Sequence, residues 1–77
     1  MYERNADVLI HIDEDIDDAS IHEIEQDLAQ MDGVYSACVH EHARHLMLVD
    51  YDPTGVKAGT LLHKVMKHGL HAELIGL

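Results

Sequence analysis

A single cysteine, Cys38, excludes an intramolecular disulfide framework and every paired-thiol zinc pattern, and it points to a reducing compartment. Tryptophan and phenylalanine are absent and only three tyrosines are present, so the core has to be aliphatic, built from Ile, Leu, Val and Met. Basic residues are scarce: five Lys and Arg stand against fifteen Asp and Glu, for a formal charge of -10. That balance argues against nucleic acid, which needs a positive footprint, and against an anionic membrane surface. It favours cations or a basic protein partner. No apolar run approaches the roughly 20 residues that span a bilayer. The first ten residues contain Glu3 and Asp7 and lack the basic start and apolar core of a signal peptide. The expected location is therefore cytoplasmic.

With 77 residues the chain is one domain over 1–77, with a core over about 7–76. It stands near the lower size limit for a fold stabilised by a single core. The charge is unevenly placed: residues 1–32 carry eleven acids and one base, and residues 33–77 carry four of each. Five of the acids fall in Asp13-Glu14-Asp15-Ile16-Asp17-Asp18-Ala19-Ser20, between an alternating run and a helical one.

Val8-Leu9-Ile10-His11-Ile12 alternates and predicts a strand. Ile21, Ile24, Leu28 and Met31, spaced by three and four, predict a helix with Asp17 or Asp18 as its cap, a Ser20/Glu23 capping box as the alternative, and Gly33 as its stop. Residues 34–40 and 46–51 predict two strands joined by a hairpin over 41–45. Asp52-Pro53-Thr54-Gly55 is a turn. Leu61, Leu62, Val65 and Met66 mark a second helix over 57–68, stopped by Gly69, and residues 71–75 a last strand. Two right-handed βαβ units then give an α+β, ferredoxin-like βαββαβ sandwich: a four-stranded antiparallel sheet with both helices on one face.

The order and separation of the acidic loop, Met31-Asp32-Gly33-Val34, Val49-Asp50-Tyr51-Asp52-Pro53 and His68-Gly69-Leu70-His71-Ala72-Glu73 give a resemblance over residues 7–76. The chain resembles the heavy-metal-associated domains of copper chaperones and P-type metal ATPases. That family holds soft metal ions with Gly-Met-Thr-Cys-x-x-Cys at the start of the first helix. Counting back from Gly33 places Asp17 and Ser20 at the two cysteine positions, and Leu70 stands where the family has an aromatic. Carboxylate and hydroxyl oxygens are poor Cu(I) ligands, so the copper handover implied by the resemblance does not transfer.

In the expected topology the first loop, the hairpin and the loop before the last strand share one pole. Seven of the eight histidines lie in or beside those connections, His63 being mid-helix. Two groups are candidates for a divalent transition metal, Zn, Ni, Co or Cu(II), held by nitrogen and oxygen. One is His11 and His71 with Asp13; the other is His40, His42 and His45, with Cys38 on the same face; Asp13, Asp15 and Asp17 lie beside the histidines as oxygen donors. Asp13-x-Asp15-x-Asp17 also echoes half of a calcium loop, but Asp18 and Ile24 stand where that loop needs Gly and Glu. No nucleophile–base spacing suggests an enzyme. The expected function is a non-enzymatic accessory in metal homeostasis. The alternative is a metal-independent interaction or homodimerisation module using the acidic pole or the outer sheet face, where Leu9, Leu46, Leu48 and Ile75 form an apolar strip.

Overall fold

The computed structural model describes residues 5–75; residues 1–4 and 76–77 of the expected domain, and so the last residue of its expected core, lie outside the described residues. The elements follow the expected order: β1 (Ala6–Ile12), α1 (Asp18–Ala29), β2 (Val34–His40), β3 (Ala43–Tyr51), α2 (Ala58–Met66) and β4 (Ala72–Ile75). They form one antiparallel sheet of order β2-β3-β1-β4 with two helices, which is the ferredoxin-like sandwich.

Strand alternation decides what the sheet buries. Val8, Ile10 and Ile12 of β1 and Met47, Val49 and Tyr51 of β3 turn inward, and all six are buried. Ile24 and Leu28 of α1 and Leu61 and Val65 of α2 close the layer from the helix side. Burying each such aliphatic side chain fully is worth about 1.5–3 kcal/mol. The second helix is shorter than its pattern suggested, and Met66 is 41% exposed. Leu61 and Val65, four residues apart, share the core face, and Met66 follows one residue beyond that face, at the helix end.

Asp17 caps α1: its Oδ1 accepts the Ser20 backbone N–H at 2.8 Å. Gly33 does not end that helix, as its spacing had suggested. The helix closes at Gln30, and Gly33, at φ 91°, lies in the Met31–Val34 turn into β2. A Cβ there would meet Val56 Cγ1 at 3.2 Å, and the Gly33 carbonyl accepts the Asp52 N–H at 2.6 Å. Only glycine allows both the positive φ and this approach.

The larger departure is at the hairpin. Strand β3 starts at Ala43, so the connection is the pair Glu41-His42, with a register shift between Val39 and His40. Ala43, Arg44 and His45 are polar or small, yet they run as strand, with Ala43 paired to His40 across the hairpin. His45 is thereby moved from the loop into the strand.

Candidate metal centre

The pole formed by the β1–α1 loop, the hairpin and the α2–β4 connection is held together mainly by histidine–carboxylate contacts. His45 is the most constrained. Its Nδ1 lies 2.7 Å from the Ile12 carbonyl, which can only accept, so that nitrogen donates. The other nitrogen, Nε2, therefore faces outward and meets Asp15 Oδ1 at 2.9 Å. The Asp15 side chain is 99% exposed and free to adjust. The His45 ring stacks on that of His11, with centroids 5.9 Å apart and planes 21° from parallel.

His11 Nδ1 sits 3.2 Å from Asp13 Oδ1. The contact is off the direction of a hydrogen bond, and this buried nitrogen has no hydrogen-bond partner. Two donors bound to one tetrahedral ion at about 2.0–2.1 Å stand about 3.3 Å apart. Both His–Asp pairs are within a few tenths of an ångström of that separation. Among the described residues, however, no group of three or more His, Cys, Asp or Glu already has the geometry to hold a metal ion.

The two groups expected from sequence are reorganised. His45 leaves the hairpin trio and joins His11. His40 and His42 stay together, with ring centroids 6.1 Å apart and the His42 N–H donated to His40 Nδ1 at 3.1 Å. His71 is engaged by Glu14 and not with His11. The Glu14 carboxylate accepts the His71 backbone N–H at 2.9 Å and its Nδ1–H at 2.6 Å. The hydrogen bond with Glu14, then its charge, raises the His71 pKa above its ordinary value, and the same bond lowers that of Glu14. Asp17 is spent on the helix cap, and the Ser20 N–H it accepts holds its carboxyl below the usual range. His68 pairs with Asp27 of α1 at 2.7 Å, and exposed Cys38 lies on β2 opposite Leu48.

Sequence reasoning set Asp15 among the oxygens beside the histidines without assigning it to His45, and it missed Glu14 as a partner of His71. Their acidity was visible, but which carboxylate reaches which ring depends on the loop path. Between that loop and the hairpin lies an open cleft of about 400 Å³ lined by Glu14, Asp15, Ile16, Glu41, His42, Arg44 and His45. Arg44 closes one flank through its ion pair with Asp18. The cleft therefore offers two imidazoles and three carboxylates beside one fixed cation.

No family model matches the chain. No curated protein matches it in sequence. Its structure, in contrast, is similar to those of several metal-binding domains. The N-terminal domain of a potential copper-translocating P-type ATPase from Bacillus subtilis, in its Cu(I)-loaded state, superposes with a TM-score of 0.83 at 26% identity, covering 94% of this chain and 89% of that one. The N-terminal soluble domains of Bacillus subtilis CopA match at 0.81 and 27%, covering 92% of this chain, which spans only 48% of that one. The CopZ metallochaperone matches over its full length, with a TM-score of 0.76 at 18% identity and 91% of this chain covered.

Proposed function

We propose that this chain, whose fold is the heavy-metal-associated, copper-chaperone-like one, is a cytoplasmic, non-enzymatic metal-homeostasis domain that binds a divalent transition ion through imidazole and carboxylate groups. The observation that carries this reading is His45. Metal-bound histidines characteristically donate their second ring N–H to a carbonyl or carboxylate, which fixes the tautomer and aims the free nitrogen. The Ile12 carbonyl does this for His45, and Asp15 waits on the other side.

The donor set does not fit Cu(I). The two positions that the family gives to cysteine are Asp17 and Ser20, whose oxygens are hard donors, and the carboxylate of the first is taken by the cap formed with the second. Zn, Ni, Co or Cu(II) fit nitrogen and oxygen. On this reading His45 and Asp15 begin the site, His42 completes it across the cleft, and His11 with Asp13 is the adjoining pair. His40, His71 and Asp17 join only if they exchange the partners they now hold. Binding draws the loop toward the hairpin, because no group of three is preassembled among the described residues.

Calorimetric titration of the chelator-treated protein with Zn, Ni, Co, Cu(II) and Ca tests the proposal. Saturable binding of a transition ion at micromolar concentration, with Ca silent, is expected. No heat from any transition ion, together with an unchanged melting temperature, refutes it.

A further inference from the structure

The side of the sheet opposite the helices has its own organisation. Cross-strand register lines up Cys38, Leu48, Leu9 and Ile75, one residue from each of the four strands. Leu9 and Leu48 are half-buried, and Ile75 is 36% exposed. A continuous apolar row thus crosses the outer face, with no element of the described chain over it.

Beside this row the register sets two like charges directly opposite one another: Asp7 on β1 faces Asp50 on β3. Both turn outward, since their neighbours Val8, Val49 and Tyr51 are buried. Opposed like charges on adjacent strands destabilise a sheet. Ser36 Oγ donates to Asp50 Oδ2 at 3.0 Å and relieves part of the repulsion, but no described Lys or Arg forms an ion pair with either carboxylate. On the other side of the row His11 faces Glu73. Among the described residues, the acids flanking the row are Asp7, Asp50 and Glu73, whereas Lys57 and Lys64 belong to the start and body of α2.

We infer that this outer face is a docking surface for a protein partner that presents apolar side chains flanked by Lys or Arg. The partner's apolar residues cover the Leu48–Leu9–Ile75 row, and its cation sits between Asp7 and Asp50, removing the repulsion that the free sheet carries. A second copy of the chain is the wrong occupant. It brings the same acids against these, from a molecule of charge -10. His11, which flanks the row, is stacked on His45 of the cleft, so docking is tested with metal removed.

The test is an NMR titration of the full chain in chelator with a synthetic peptide of alternating Lys and Val. Salt-sensitive shifts of the Leu9, Leu48 and Ile75 methyl signals are expected. Asp7→Asn and Asp50→Asn should each weaken binding about three- to fivefold, the scale of an exposed charge pair. Each should also raise the melting temperature of the free protein, an outcome that a merely structural role for these acids would reverse. Shifts confined to residues 13–18, or unchanged affinity in both Asn variants, overturn the proposal. So does a dimer in sedimentation of the unliganded chain that perturbs the same methyls, because the occupant is then a second copy.

Discussion

Replacing His45 with alanine separates the structural part of this residue from its proposed metal role. In chelator the variant loses the 2.7 Å bond from Nδ1 to the Ile12 carbonyl. A hydrogen bond of this kind contributes about 0.5–1.5 kcal/mol net. For a domain of this size, 1 kcal/mol corresponds to about 6 °C in melting temperature, so the metal-free variant should melt roughly 3–9 °C lower. Metal adds a second, independent effect. At a free ion concentration of one hundred times Kd the wild type gains about 2.7 kcal/mol, or about 16 °C. If losing His45 weakens binding a hundredfold, the same concentration adds only about 0.4 kcal/mol to the variant, or about 2–3 °C. Differential scanning fluorimetry of both proteins with and without Zn or Ni measures all four values. His63→Ala, an exposed change in mid-α2 away from the pole, serves as the control and should keep the full metal increment. The reasoning fails if the His45→Ala protein is stabilised by metal as much as the wild type, which places the ligands elsewhere.

Three further predictions follow from other parts of the structure. The Glu14–His71 clip gives a defined pH window: the raised His71 pKa contributes stability that is full below about 6.5 and lost as pH rises through the folded value, whereas the lowered Glu14 pKa contributes stability that is full above about 4.5 and lost as pH falls through its folded value. Glu14→Gln should therefore lower the melting temperature most between these limits, remove the fall in stability on either side of them, and return the His71 NMR titration to its ordinary midpoint; an unmoved midpoint assigns the shift to another group. Converting Asp17 and Ser20 together to cysteine should create a thiolate pair at the α1 N-terminus and confer Cu(I) binding in a chelator competition, at the cost of the cap. Failure to gain any Cu(I) affinity would show that the loop path, and not only the missing sulfur, excludes copper. Leu28→Ala, at a fully buried position, should cost about 2–5 kcal/mol in urea unfolding.

Much of the fold was legible because periodicity reports burial directly. The period of two in Val8, Ile10 and Ile12 and the three-and-four spacing of Ile21, Ile24 and Leu28 each name the face that packs, and the structure buries all six. Element ends were less legible where a residue's chemistry and its backbone pairing disagree. Residues 43–45 look like loop by composition, yet they extend β3, because closing the hairpin between His40 and Ala43 gives the backbone there a partner. Gly33 was recognised as needing a positive φ, but its place in a turn rather than at the helix end depends on the approach of Val56.

The amino-acid sequence by itself determined the layer architecture, the concentration of negative charge at one end of the chain, and the absence of a thiol pair at the start of α1. These are properties of composition and spacing, and they hold whatever the loops do. Tertiary structure alone decided the pairing of the pole: His45 with Asp15 and the Ile12 carbonyl, His71 with Glu14, and His11 stacked on His45. Eight histidines and fifteen acids allow many such pairings. The choice among them follows from strand register and from the path of a loop whose ends lie 57 residues from their contacts in the case of Glu14 and His71. A one-residue slip in β3 would turn His45 to the other face, and the cleft would lose the imidazole on which the proposed metal site depends.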